Sequence, residues 1–175
     1  VRRAHDLGLA VICDVVYNHY SPVDNALWEY DGNFKDGGIY VQKPDTPWGS
    51  RPAHWRREVR NFFLDHARML LEDYRVDGLR FDAAHEVSEE CLRHVVSGIR
   101  ANPFWHNKLL IAEWGGSRED YHRVITQFGF DAVWALGDPH AFRDAVNSSP
   151  HRSVSRVIET LDDRGFPSNT NFVRY

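Results

Sequence analysis

The first apolar run of the chain, Leu9-Ala10-Val11-Ile12-Cys13, is unbroken by any polar residue. A continuous run with β-branched members predicts a strand covered on both faces, the usual state in a parallel sheet. Ahead of it, residues 2–8 read as the end of a helix closed by Gly8. The next pattern has the helical period. Val59, Phe62, Phe63, Ala67, Leu70, Leu71 and Tyr74 make one apolar stripe, which predicts a helix over 58–74. Glu58 and Arg75 stand at the ends where the helix dipole favours their charges. Gly78-Leu79-Arg80-Phe81-Asp82 then reads as a short strand, and Ser88 as the cap of a helix over about 89–101. Leu109–Glu113 is a second buried strand, 118–128 a helix, and Phe130–Ala135 a third buried strand. Helices are expected at about 139–147 and 151–163, and a last strand begins at Thr170.

Residues 20–57 follow neither period. Pro22, Gly32, Gly37, Gly38, Pro44, Pro47, Gly49 and Pro52 punctuate them, which predicts a long loop or small subdomain inserted after the first strand. Its aromatics Trp28, Tyr30, Phe34, Tyr40 and Trp48 argue for order, either as a miniature core or as a platform for a flat ligand. Strands otherwise alternate with helices, so the class is α/β with a parallel sheet. A closed eight-unit barrel uses about 30 residues per unit. Five strands in 175 residues therefore read as a partial TIM (β/α)8 barrel, with residues 1–175 a fragment of one catalytic barrel domain.

Composition narrows the function. Hydrophobic residues make 42% and charged residues 26%, which supports a packed globular domain and excludes disorder. The 21 Lys and Arg against 25 Asp and Glu leave a net charge of −4, unsuited to a nucleic-acid partner. No apolar run approaches the roughly 18–20 residues of a membrane span. Cys13 and Cys91 make no disulfide framework and read as buried or half-buried thiols. The 10 His show neither His-x-His nor His-Glu-x-x-His spacing, so no metal and no cofactor is expected. Nucleotide-binding glycine loops and the Gly-x-Ser-x-Gly nucleophile turn are absent too. No signal or transit pattern follows Val1, and a cytoplasmic location is expected.

The chemistry converges on three acids. Asp14, Asp82 and Glu113 each lie at or near the C-terminal end of an expected strand. Active sites of parallel α/β folds are built at that end. Any one of them alone could be a helix cap. Arg80, two residues before Asp82 on a strand, faces the same side and keeps a neighbouring carboxylate ionised. An ionised carboxylate opposite a protonatable one is the pairing that glycoside hydrolysis requires.

These segments resemble the α-amylase family of glycoside hydrolases and transglycosylases. Asp14-Val15-Val16-Tyr17-Asn18-His19 is similar to the first conserved segment of that family, Gly78–His85 to the second, and Ile111-Ala112-Glu113-Trp114 to the third. Asp82 lies 68 positions after Asp14, and Glu113 lies 31 after Asp82, in the family's order and spacing. The resemblance implies that Asp82 is the nucleophile of a covalent glycosyl intermediate and Glu113 the general acid and then base. It implies that Arg80 orients Asp82, that His19 contacts the sugar before the cleaved bond, and that Asp14 and Asn18 shape that sugar's pocket, with Tyr17 of the same segment counted among the substrate-binding candidates. Trp114, next to Glu113, either stacks on sugar or walls the pocket, and His85 either contacts substrate or has a structural role. The expected partner is an α-glucan such as starch, glycogen or a maltooligosaccharide.

Two departures refine the expectation. Many α-amylases carry Lys-His after the second segment, whereas this chain has His85-Glu86. That pattern, with Thr46-Pro47-Trp48-Gly49-Ser50-Arg51-Pro52, is closer to branching enzymes and maltooligosyl-trehalose trehalohydrolases. The insertion is also short beside the calcium-binding domain of α-amylases, so no tight calcium site is expected. The family's third carboxylate, in a His-Asp pair after the seventh strand, would follow the lead-in Asn171–Tyr175. The chain alone is therefore expected to be inactive and its parent active. The other class of function is a catalytically silent barrel relative serving as a binding or assembly module. Such relatives lose the nucleophile or the acid, while Asp82, Glu113 and Arg80 are all present, so an enzyme is expected.

Overall fold

The structure is a computed structural model and describes residues 1–23, 27, 40–147, 154–162 and 165–173. Five parallel strands form one sheet: β1 (Ile12–Val15), β4 (Gly78–Phe81), β5 (Leu109–Trp114), β6 (Ala132–Ala135) and β7 (Phe172–Val173). Their order across the sheet is their order in the chain. A doubly wound sheet reverses direction at a switch point; this one does not, as in the wall of a (β/α) barrel. Helices α2 (Arg57–Glu72), α3 (Glu89–Ala101) and α4 (Arg118–Phe128) link the central strands, after the short α1 (Arg2–Asp6). Helices α5 (Gly137–Asn147) and α6 (Val154–Leu161) connect β6 to β7. Residues 151–153 and 163 of the last expected helix lie outside the described residues.

Alternation along the strands sorts the sheet into two faces. Val15, Leu79, Phe81, Leu110, Ala112, Val133 and Ala135 point to the helices and are buried. They meet Val59, Phe63, Ala67 and Leu71 of α2, Cys91, Val95, Val96 and Ile99 of α3, and Tyr121, Val124 and Phe128 of α4. The apolar stripe of α2 is thus narrower and shorter than its sequence implies: Phe62 is exposed, and the exposed Tyr74 lies beyond the helix end at Glu72. Ser88 caps α3 as expected, its hydroxyl accepting from the Cys91 N–H at 3.3 Å. A capping box between Ser117 and Asp120 starts α4, and Gly129 ends it with a φ of 84°. Cys91 is buried, and burial pushes its thiol up to about 12.

One expectation is corrected. The first strand begins at Ile12 rather than Leu9, and Leu9 and Ile12 are exposed. Among the described residues it pairs with β4, in parallel. Within the inserted segment, β2 (Val41–Thr46) and β3 (Gly49–Pro52) form an antiparallel hairpin. Gly49 permits its docking, because a Cβ there would lie 2.0 Å from the Tyr20 carbonyl oxygen. Tyr20 N–H donates to the Ser50 carbonyl at 2.8 Å, which seats the hairpin on the loop after β1. The expected aromatics Trp28, Tyr30 and Phe34 lie outside the described residues. Among the described residues no helix is long and apolar enough to cross a membrane.

At the N-terminal end of the sheet two aspartates hold strand starts. The Asp77 carboxylate accepts from Val11 N–H at 2.7 Å and faces His5 at 2.8 Å. Asp131 accepts from Leu110 N–H at 2.8 Å and pairs with Arg100 at 2.6 Å. The Val11 N–H and then the His5 ring hold the Asp77 carboxyl below its ordinary value.

Candidate active site

The opposite end of the sheet gathers the expected acids around one cation. Asp14 and Arg80 are direct register partners on β1 and β4, and Glu113 and Trp134 are partners on β5 and β6. The Arg80 guanidinium contacts Asp82 Oδ1 and Asp14 Oδ2 at 3.0 Å each, and Glu113 Oε1 at 2.6 Å. Three carboxylates thus share one guanidinium, whose planar fork suits bridging. Its central carbon lies 4.9 Å from the Trp134 ring centroid, a cation–π contact that holds the plane of the fork.

Each reacting candidate has a second donor. Asn18, fully buried, gives its amide N–H to the Asp82 carbonyl at 2.6 Å and to Asp82 Oδ2 at 3.1 Å. Its amide oxygen meets His19 Nδ1. Glu113 Oε2 accepts from the Ala83 N–H at 2.8 Å. Ala83 has a φ of 38°, a left-handed backbone that a non-glycine residue adopts at a cost of about 1 kcal/mol or more. The strain turns the chain after β4 so that the Ala83 N–H faces β5. Glu113 thus has one carboxylate oxygen on Arg80 and the other on the Ala83 N–H.

The other expected residues divide. His19 is half-buried beside the exposed Trp48 of the hairpin turn, their ring centroids 5.8 Å apart. His85 and Trp114 meet edge to face at 6.2 Å, and Trp114 leans on Phe128 of α4, so this pair walls the β5 side. Tyr17 is a correction. It is buried, stacks on Phe63 at 4.4 Å and donates to the Phe63 carbonyl at 3.2 Å. Parity explains this: Tyr17 lies on the helix-facing side with Val15, and burial raises its hydroxyl far above the ordinary value. The Asn18 amide is engaged by Asp82 and His19, two of the expected site residues. Sequence reasoning missed Ala83 and Trp134. Trp134 carries a signal, standing between the helix-facing Val133 and Ala135. Among the described residues, no group of three or more His, Cys, Asp or Glu side chains is arranged to hold a metal.

A parallel β/α wall with a carboxylate site at its C-terminal edge defines a barrel-type enzyme site. No protein-family model matches the chain. Sequence relatives are more informative. Malto-oligosyltrehalose trehalohydrolase of Saccharolobus solfataricus is 36% identical over 177 residues, covering 93% of this chain and 30% of that protein. The enzyme of the same name from Rhizobium sp. (strain M-11) is 40% identical over 183 residues, covering 95% of this chain and again 30% of the relative. The 1,4-alpha-glucan branching enzyme GlgB of Rhodopseudomonas palustris is 28% identical over 161 residues, with 91% of this chain and 21% of that enzyme covered. Among solved structures, the noncanonic maltogenic alpha-amylase AmyB of Thermotoga neapolitana matches with a TM-score of 0.70 over 99% of this chain and 39% of that one. At 18% identity, that is a likeness of fold alone. The chain belongs to the α-amylase family of glycoside hydrolases and glucan-transferring enzymes. It spans 30% of the length of the two trehalohydrolases.

Proposed function

We propose that the protein carrying this chain is a retaining α-glucan hydrolase that releases trehalose from malto-oligosyltrehalose. The observation that carries the reading is the single Arg80 guanidinium in contact with both Asp82 and Glu113 at the C-terminal strand ends. The two trehalohydrolases, at 36% and 40% identity, favour this substrate over a branching acceptor. On this reading β1 and β4–β7 are the third to seventh strands of the barrel, and the family's third carboxylate follows Tyr175.

The proposed reaction has two displacements. An Asp82 oxygen attacks the anomeric carbon of the sugar before the cleaved bond, and that carbon's bond to the leaving oxygen breaks. Glu113 gives its proton to the leaving oxygen, so trehalose departs neutral. The ionised Glu113 then takes a proton from water, whose oxygen attacks the same carbon and releases Asp82. Two inversions return the α configuration. Arg80 and Asn18 hold Asp82 charged and aimed, and His19 and Trp48 flank the pocket mouth.

The test uses the full reading frame that contains this chain. It is incubated with maltotriosyl-trehalose and, separately, with amylose. Free trehalose, with an α-anomeric maltotriose observed first by proton NMR, is the expected result. New α-1,6 branch points in amylose without free trehalose would convert the reading to branching. Binding without any product would convert it to a catalytically silent module.

A further inference from the structure

A buried histidine below the site has no part in this reaction. His54 is 2% exposed and packs beside Phe63 of α2, with ring centroids 6.1 Å apart. Its Nε2 lies 2.8 Å from the Tyr17 carbonyl oxygen, and its Nδ1 lies 3.3 Å from the Ser88 N–H. A carbonyl only accepts and a backbone N–H only donates. Nε2 therefore carries the hydrogen and Nδ1 the lone pair, and only one neutral tautomer satisfies both contacts.

Both contacts lead to the reacting pair. Tyr17 precedes Asn18, which donates to Asp82. Ser88 closes the turn that begins at Ala83, which donates to Glu113. That turn is bonded internally, Glu86 N–H to the Ala83 carbonyl at 2.9 Å and Val87 N–H to the Ala84 carbonyl at 3.1 Å, so it shifts as a unit. A second strut runs parallel. Arg51 donates to the Glu86 carbonyl at 2.8 Å and pairs with its carboxylate at 3.0 Å. The segment 51–54 thus braces the two segments that supply the second donors of Asp82 and Glu113.

We propose that His54 is a positioning residue for Asp82 and Glu113: as a neutral imidazole it fixes the spacing between the Asn18 loop and the Ala83 turn. The proposal rests on the reading of Asp82 and Glu113 as the reacting pair. Protonation would set an Nδ1–H against the Ser88 N–H and open the latch. The charged and titratable groups around the ring act consistently. Burial, and then Arg51, disfavour the imidazolium, opposed by the Tyr17 carbonyl. Glu86 is engaged by Arg51, and across Tyr17 stand His66, also kept neutral by burial, and the un-ionised Cys91.

The test compares His54→Phe, His54→Gln and Asp82→Asn with wild type in the full-length enzyme. His54→Phe keeps a ring but makes neither hydrogen bond; kcat is expected to fall about tenfold or more with KM nearly unchanged. His54→Gln keeps a donor for Tyr17 and cannot titrate. It is expected to recover most of kcat and to remove one ionisation from the acid limb of kcat against pH. Nitrogen-15 NMR of wild type at pH 7 is expected to show the Nε2–H tautomer, a readout that stands even if His54→Phe fails to fold. The brace is overturned by the other tautomer, or by a folded His54→Phe with wild-type kcat while Asp82→Asn is inactive. An active Asp82→Asn overturns the reading of the reacting pair, and the brace with it.

Discussion

The two ends of the sheet use the same residue types for opposite purposes. At the N-terminal end, Asp77 and Asp131 each accept a backbone N–H where a strand starts and each have cationic or histidine company of their own. Every charge there closes a backbone need. At the C-terminal end, Asp14, Asp82 and Glu113 crowd one guanidinium, and the turn beyond Asp82 is strained at Ala83. Three carboxyl groups around one guanidinium is a poor arrangement for stability and, on the proposed reading, a useful one for chemistry. On the proposed reading, the difference separates carboxylates that serve the fold from those that serve the reaction.

The largest effect should come from neutralising the reacting pair. Asp82→Asn and Glu113→Gln are each expected to lower kcat by roughly three orders of magnitude or more. Melting temperature should hold or rise, because each change relieves like-charge crowding. A stable variant that retains activity would break the comparison at its centre. Arg80→Lys comes next. A lysine keeps the charge but lacks the fork that spans three carboxylates, and a loss in kcat of about a hundredfold is expected. Steady-state kinetics on the folded variant checks it.

The smallest catalytic effect belongs to Asp77→Asn, which should leave kcat per folded molecule unchanged. Its stability should fall by about 1–2 kcal/mol at pH 7, read by urea denaturation. The sign with pH follows from the depressed carboxyl of Asp77. Its contribution is whole above about 3.8, its ordinary value, and is lost as pH falls through the lower value of the folded state. Wild type and variant should therefore converge in stability as the medium is acidified below the ordinary carboxyl range. A kcat loss in Asp77→Asn would mean that the two ends of the sheet are coupled.

Much of this arrangement was legible along the chain. The α2 stripe, the Ser88 cap and the parity that puts Arg80 and Asp82 on one side all follow from local spacing, which the backbone periods impose directly. Tyr17 shows the limit of reading by motif: it lies between residues of the site, yet strand parity carries it into the helix layer. Trp134 and Ala83 act through register and through one strained dihedral, and His54 through contacts with residues more than 30 positions away. No local pattern encodes these.

The sequence by itself determined the element types, the alternation that separates a helix-facing side from a polar side, and the three acids at strand ends. These depend on residue period, which is a property of a short segment. Only the tertiary structure decided that Arg80 reaches all three acids, that Asn18 serves Asp82, and that a buried imidazole spans two loops. Those outcomes depend on how ladders of hydrogen bonds set neighbouring strands in register and how the helices pack behind them. They are set by segments far apart in the chain, and only the closed packing of the wall brings them within bonding distance.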